Sequence, residues 1–549
     1  MSFRTTDTGP VEELAAAVRT AVATVRGVGE RPTAEPTLDR PRHKGMGDYS
    51  TNAAMLLAPV LGAPPREIAG RLGVELESLL GDQLERVEVA GPGFLNLVLS
   101  DAWHQRALHW VVDAGERFGA GGAEHPERVL IEFVSANPTG PLVAASGRHA
   151  AYGDALARIL EHHGDSVTRE YYFNDAGNQI RLLGESVRAR ARAEEVPEGG
   201  YHGEYVADLA ALIPGAAEAD ADQVAGAAVE ILWGQIKGTL ERYRVHFDVF
   251  FSERTLHEGS PSQLEQGLAL LEQSGHVYRT EGALWLRTTA FGDDKDRVVV
   301  RSNGTPTYLA ADIAYIQNKR ERGVERQLIP LGADHTTYAF ELKAAMAALG
   351  GDPDVMESPI LQFVHLVEGG QAFAMSKRRG DFVTLDDLLD EIGVDATRFF
   401  MLQRSHDRTI DLDVGLARKQ SRENPVYYIQ YAHARIASML SRLSAERMAS
   451  ALQADWDTVS LENLERDLIK KLVAFPGEVA EAAERRAPHR IATYALELAQ
   501  DFTAFYESCR VLGVTPDAVE SLRVALSAAT QTTIALALGL LGVSAPDSM

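Results

Sequence analysis

Cysteine is almost absent from this 549-residue chain: the single Cys509 excludes an internal disulfide framework and any cysteine-based structural zinc site. No run of about 18 apolar residues occurs, so a membrane span is not expected. The opening MSFRTTDTGPVEE has neither an apolar core nor a cleavage site, which makes the cytoplasm the expected setting. Lysine is scarce as well. Most of the 54 basic residues are arginine, and against 78 acidic residues they leave a net charge of −24. Such a chain has no generic attraction for nucleic acid or membrane, so a polyanionic partner would have to meet local basic patches. What is present is ordinary for a globular protein: 45% hydrophobic and 24% charged residues. The length suits about three or four domains.

Three regions differ in pattern. Residues 1–115 read as a small α+β unit. Leu14, Val18, Val22 and Val25 recur as one face of a helix, and two strand-like runs flank Gly91-Pro92-Gly93. A glycine-rich linker, Gly119–Arg128, follows. Residues 125–405 begin with Val129–Val134 as a buried strand, Asn137–Pro141 as a turn, a helix through Ala151, Ala155 and Ile159, and a second strand from Val167 to Phe173. Strand, turn, helix, strand is a βαβ unit of a parallel sheet. Residues of about 195–300 interrupt the alternation and are expected to be an insertion; the run Gln327–Gly332 resumes it. From 406 to 549 the pattern is helical, with Val426, Ile429, Ile436 and Leu440 on one face. The fold expected is an α/β Rossmann-type domain with an insertion, preceded by a small α+β domain and followed by an all-α bundle.

The turn after the first strand is the natural ligand site, because ligands of open α/β sheets sit beyond the strand ends and a helix N-terminus favours phosphate. It contains neither GxGxxG nor GxxxxGKS, so an NAD-linked oxidoreductase and a P-loop enzyme both fail. Instead it reads Ser135-Ala136-Asn137-Pro138-Thr139-Gly140-Pro141-Leu142, followed by Gly147-Arg148 and Tyr152-Gly153-Asp154. Further along stand Tyr172-Phe173-Asn174-Asp175-Ala176-Gly177-Asn178-Gln179, Gly332-Ala333-Asp334-His335 and Ala374-Met375-Ser376-Lys377-Arg378. The helical third has Asn424-Pro425-Val426-Tyr427-Tyr428 and Gln430-Tyr431-Ala432-His433-Ala434-Arg435, and ends in Gly542-Val543-Ser544-Ala545-Pro546. Near the start are Gly47-Asp48-Tyr49 and Ala90-Gly91-Pro92-Gly93-Phe94. Collinear over nearly the whole chain, these runs resemble the arginyl-tRNA synthetases of the bacterial type.

The resemblance implies a class I catalytic domain, an anticodon-binding bundle and an N-terminal domain that meets the tRNA elbow. The implied reaction joins L-arginine to tRNA(Arg) through arginyl-adenylate. ATP, with Mg2+ as its counter-ion, would be consumed, with no bound organic cofactor and no protein metal site. A monomer without membrane attachment is expected.

Physically, a guanidinium is a fork of five donors and needs carboxylates and carbonyl oxygens. Ser135 and Asn137 could face one pocket if the strand runs that far, whereas Glu132 would require the chain to bend. Tyr308 and Asp312, four apart on a helix, share a face. The resemblance assigns these five positions to arginine, with Tyr308 and Asp312 nearest its guanidinium end. Asp334 and His335, at a strand end, are expected at the ribose, adenine or arginine. Pro138, Thr139, Gly140, Pro141, Val143, Ser146, Gly147, Met375 and Lys377 fall at the ATP motifs. Ser376, Lys377 and Arg378 resemble the second motif, whose chemistry needs a mobile cation as charge builds on pyrophosphate. Lys377 matches its second lysine; Ala374 replaces the first.

The first motif departs most. The family form here is His-x-Gly-His, and this chain has Val143-Ala144-Ala145-Ser146. Both phosphate-binding histidines are missing. Ser146, together with Arg148 and the backbone amides near Gly147, could take over part of their task. Two explanations stand: a variant with relocated phosphate stabilisation, which the intact remaining motifs favour, or a catalytically silent paralogue that still binds tRNA or arginine. For tRNA, Tyr427, Tyr431 and Arg435 recur on one helical face suited to stacking unpaired bases. Phe94 and Asn96 are expected at the elbow, and Arg485, Arg486, Arg490 and Arg510 at phosphates.

Overall fold

Leu14, Val18, Ala21, Val22 and Val25 form the buried stripe of helix α1 (Pro10–Arg26), as their spacing predicts. It packs on α2 (Pro65–Leu80), which covers an antiparallel sheet containing β1 (Tyr49–Thr51), β2 (Leu84–Ala90) and β3 (Phe94–Leu99). The Gly91-Pro92-Gly93 breaker is the β2–β3 turn. Helix α3 (Asp101–Ala114) follows, capped by Ser100, whose hydroxyl accepts from the Trp103 amide. The computed structural model describes residues 9–27, 34–41, 45–175, 177–372 and 383–549.

The central domain is built on β4 (Arg128–Glu132), whose Val129, Leu130 and Ile131 are all buried, as a strand covered on both faces requires. Helix α4 (Ser146–His163) crosses over to β5 (Ser166–Phe173), which pairs with β4 in parallel. The α4 helix lies so close to the strand end that a Cβ on Gly153 would stand 2.2 Å from the Phe133 ring.

Helices α5 (Asn178–Ala191), α6 (Glu204–Leu212) and α7 (Ala221–Arg242) then share a core of Leu183, Val187, Val206, Leu209 and Leu232. Strand β6 (Val249–Ser252) returns to the parallel sheet beside β5. The expected insertion at about 195–300 is therefore not continuous: a four-residue strand in its middle belongs to the main sheet. Beyond it, α8 (Gln263–Gln273) and a three-stranded antiparallel sheet of β7 (Val277–Thr280), β8 (Ala283–Leu286) and β9 (Arg297–Val300) form a second excursion.

Helix α9 (Tyr308–Glu321), β10 (Arg326–Leu328), α10 (Thr336–Ala348) and β11 (Met356–Glu357) complete the domain's sheet, in the all-parallel order β11-β10-β4-β5-β6. Helix α11 (Leu385–Leu402), interrupted at Gly393, joins it to the bundle.

The bundle contains α12 (Pro425–Leu440), α13 (Asn463–Val473), α14 (His489–Ser508) and α15 (Asp517–Leu540). By length and composition α15 could cross a bilayer. Here it is a core helix packed on α12, α13 and α14, with Leu522, Leu526, Ile534 and Leu538 buried.

Two sets of polar contacts tie the regions together. Lys470 of α13 pairs with Asp48 at 2.7 Å, and Gln105 of α3 donates to the Trp456 and Val459 carbonyls. More deeply, the fully buried Arg398 pairs with Asp154 of α4 and donates to the carbonyls of Leu541 (2.8 Å) and Tyr243 (2.9 Å). Gly542 (φ 68°) permits this: a Cβ there would stand 2.2 Å from the guanidinium. Beside it, Asp395 accepts from the Ser544 amide, Gln430 and Arg244.

Candidate active site

Strand β4 stops at Glu132, two residues short of the span its apolar run predicts. Val134 and Ser135 adopt left-handed backbone (φ 67° and 42°), which is costly for a β-branched residue and marks a site held under strain. The bend turns Glu132 and Ser135 towards each other, with Ser135 Oγ 3.4 Å from Glu132 Oε1. Both line a cavity of about 480 Å3 at the carboxyl ends of the parallel strands. Asn137 does not line it; its amide donates to Gln179 Oε1 at 2.7 Å.

Across the cavity stands Asp312 of α9. Its Oδ1 accepts from the Tyr338 hydroxyl at 2.7 Å, whereas its buried Oδ2 has no hydrogen-bond partner among the described residues. Burial pushes the Asp312 carboxyl up to about 7. The Tyr338 hydrogen bond opposes the rise, Glu132 and Glu253 add to it, and Lys319 opposes it. Lys319, one further turn pair along the same helix face, bonds Glu132 Oε2 at 2.5 Å and lies 4.0 Å over the Tyr315 ring. The Tyr315 hydroxyl in turn donates to Glu170, which Arg322 grips with both nitrogens. Tyr172 closes the floor, its phenol driven upwards by burial and by Glu253. A cation entering here meets acidic groups whose one nearby ammonium among the described residues is already bonded to Glu132.

Tyr308, expected beside Asp312, is 69% exposed and lies outside the cavity lining. It occupies the first position of α9, so the four-residue spacing carries its ring beyond the cavity's rim. Asp334 and His335 do line the cavity, exposed at its rim and 3.5 Å apart.

The opposite end is the start of α4. Ala145 and Ser146 line the cavity; Pro138, Thr139, Gly140, Pro141, Val143 and Gly147 do not. The turn is covered by α6, with the Tyr205 hydroxyl donating to the Thr139 carbonyl and its ring lying against Gly140. Pro141 borders a separate small cavity beside α7, and Gly147 is buried under Leu385. Val143 bridges Thr384, and the Ala144 amide donates to the Val383 carbonyl at 2.9 Å.

The amides of Ser146, Gly147 and Arg148 donate to the carbonyls of Val143, Ala144 and Ala145 at 2.9, 3.0 and 3.1 Å. The free N–H groups expected at this helix start are thus already engaged. Arg148 is equally committed: it is buried and bonded to the carbonyls of Gln362, Phe363, Ser405 and Arg408. Its neighbour His149 is pushed down to about 4 by burial and by the Arg148 charge, and so is neutral. Met375, Ser376, Lys377 and Arg378 lie outside the described residues.

Among the cavity residues that the sequence reading did not assign to the site are Tyr172, Lys319, Tyr338 and His149. Lys319 stands seven residues after Asp312, a helical repeat that could have flagged it. Tyr338 comes from another helix, and no local spacing connects it to Asp312.

The tRNA candidates are scattered. Phe94 is exposed at the β2–β3 turn, but Asn96 is buried and accepts from Ser50 at 2.8 Å. The rings of Tyr427 and Tyr431 stack with centroids 6.3 Å apart, Tyr431 exposed. Arg435 turns onto Tyr506, 4.4 Å from its ring. Arg485, Arg486 and Arg490 pair with Glu481, Glu357 and Glu478 at 2.6, 2.9 and 2.9 Å, so their charges are compensated. Arg510 is exposed, its Nε donating to the Leu512 carbonyl.

Three family models match the chain: the arginyl tRNA synthetase N-terminal domain over residues 12–99, the class I (R) tRNA synthetase catalytic domain over 219–415, and the DALR anticodon-binding domain over 429–549. A solved structure from Campylobacter jejuni, described as an arginyl-tRNA synthetase, is 33% identical with a TM-score of 0.75, covering 82% of this chain and 100% of its own. The Thermus thermophilus arginyl-tRNA synthetase is 25% identical with a TM-score of 0.77, covering 98% and 99%. The Plasmodium falciparum arginyl-tRNA synthetase, at 16% identity and a TM-score of 0.74, shares the fold. Domain for domain, and by an identity of one third over most of its length, the chain belongs to the arginyl-tRNA synthetase family.

Proposed function

We propose that this protein is an arginine–tRNA ligase that works in two steps. The α-carboxylate of L-arginine attacks the α-phosphorus of ATP, pyrophosphate leaves, and arginyl-adenylate forms. The terminal ribose hydroxyl of tRNA(Arg) then attacks the activated carbonyl and AMP leaves. Mg2+ enters on the ATP phosphates, as part of that substrate. The observation that carries the reading is Asp312: a buried carboxylate with one oxygen unpaired among the described residues, in a cavity whose one described lysine is already bonded to Glu132. A guanidinium supplies the missing donor and charge together.

Glu132, Ser135, Asp334 and His335 surround the amino acid, and Ser146 offers a hydroxyl at the nucleotide end. Because Arg148 is held by carbonyls, phosphate stabilisation falls to Lys377, with Ser376 and Arg378 beside it. Phe94, Tyr427, Tyr431 and Arg510 are the proposed tRNA contacts. Residues 1–115 serve the tRNA elbow, 125–405 the chemistry and 406–549 the anticodon. The protein acts as a cytoplasmic monomer. Charging of tRNA(Arg) with labelled arginine in the presence of ATP tests the reading. Arginylation that stays at background while tRNA still binds overturns it.

A further inference from the structure

Tyr338 reaches the cavity floor from α10, a helix that contributes none of the expected arginine contacts, and its ring stands edge-on to His335 with centroids 6.4 Å apart. Its hydroxyl makes the one hydrogen bond to the Asp312 carboxylate among the described residues, at 2.7 Å. The groups facing Asp312 are otherwise unhelpful to its charge. Glu132 from β4 and Glu253 just beyond β6 are like charges, and the Tyr172 phenol of β5 brings none. Lys319, on the same helix, is the cation among the described residues that acts on Asp312, and it is bonded to Glu132 at 2.5 Å.

We propose that Tyr338 is a positioning residue for the cationic end of the substrate: its hydroxyl fixes Oδ1 of Asp312 and leaves Oδ2 as the single acceptor for an incoming guanidinium. The inference rests on the reading that this cavity takes arginine. A carboxylate with both oxygens unpaired could rotate about its terminal torsion, and with one oxygen held it cannot. The same hydrogen bond favours the ionised form, against the burial and like charges that raise the carboxyl to about 7. Near neutral pH the hydroxyl therefore sets both the direction of the acceptor and the fraction of it that is charged. The phenol never touches reacting atoms; it acts through Asp312.

The sign follows directly. Arginine binds the ionised carboxylate, so its affinity rises as pH climbs through the Asp312 value. Removing the hydroxyl raises that value and displaces the rise to higher pH. The test is calorimetric titration of the full-length protein with L-arginine from about pH 6 to about pH 8.5, on the wild type, Tyr338→Phe, Asp312→Asn and the double variant.

Tyr338→Phe keeps the ring; its arginine affinity should fall about tenfold at neutral pH and recover in part at the alkaline end. Asp312→Asn should bind weakly with no pH dependence from this site, and adding Tyr338→Phe to it should cost little more. Wild-type affinity in Tyr338→Phe at every pH, or a loss that is the same at every pH, overturns the positioning role and leaves the arginine reading standing. A wild type that binds no arginine removes both.

Discussion

At the Asp312 end of the cavity the described residues set fixed charges around an unpaired acceptor; at the α4 end the charge they set is Arg148, already committed to backbone carbonyls. Lys319 is bonded to Glu132 and Tyr338 to Asp312 before any ligand arrives, and Tyr172 lines the same cavity against the Tyr315 ring. The α4 start offers Ala145 and Ser146, its first amides turned inward and its arginine bonded to four carbonyls. A cation is thus met by groups in place beforehand, whereas among the described residues the α4 end offers a polyphosphate little beyond the Ser146 hydroxyl. The difference suits the chemistry. Arginine carries the same charge throughout, while negative charge on the leaving pyrophosphate grows only as the bond breaks, and a mobile ammonium serves that moment.

The comparison breaks most easily at Lys377. Lys377→Ala is expected to lower kcat for arginine-dependent pyrophosphate exchange by at least about 10³-fold with little change in KM for ATP. A KM that rises as much as kcat falls would place Lys377 in simple ground-state binding. At the other end, Asp312→Ala removes a charge-assisted partner and should cost about 2–4 kcal/mol in arginine binding, with KM for ATP unmoved. Equal changes in both constants would reduce Asp312 to a support of the fold.

Ser146→Ala is a smaller matter, about tenfold in kcat, because a neutral hydroxyl is a weaker donor than a cation. Smallest of all is the restoration of His-Val-Gly-His at 143–146, from which no gain is expected. Val143 and Ala144 are stitched to Thr384 and Val383, and Ala144 is buried, so a histidine pair meets surroundings repacked around small groups. Activity rising by about a hundredfold, the worth of one regained transition-state donor, would erase the distinction between the two ends.

Legibility in the sequence followed the same division. The amphipathic face of α1, the hairpin at Gly91-Pro92-Gly93 and the first βαβ unit could be read, because periodicity and breakers are local signals. Strand β6 could not, since four residues among long helices carry too little period to declare themselves. In the site, Asp312 and Glu132 were legible, and the bend at Val134–Ser135 that Glu132 required was not, since nothing in a valine announces positive φ. Tyr308 misled because a shared helix face says nothing about where the helix meets the cavity. Tyr338 and the carbonyl cage of Arg148 depend on partners 26 and more than 200 residues away, and separations of that size leave no spacing to read.

The cluster around Arg398 couples regions that lie far apart in the chain. Its guanidinium joins Asp154, 244 residues earlier, to the Leu541 carbonyl, 143 residues later. Asp154 also has a local partner in Arg158, one turn along α4 at 2.7 Å, but the Arg398 guanidinium reaches Asp154 and the Leu541 carbonyl only once the central domain and the bundle are docked. Closing such spans costs entropy that only the assembled contact repays, so the seating of the helix that opens one end of the cavity is cooperative with the docking of the chain's last turn.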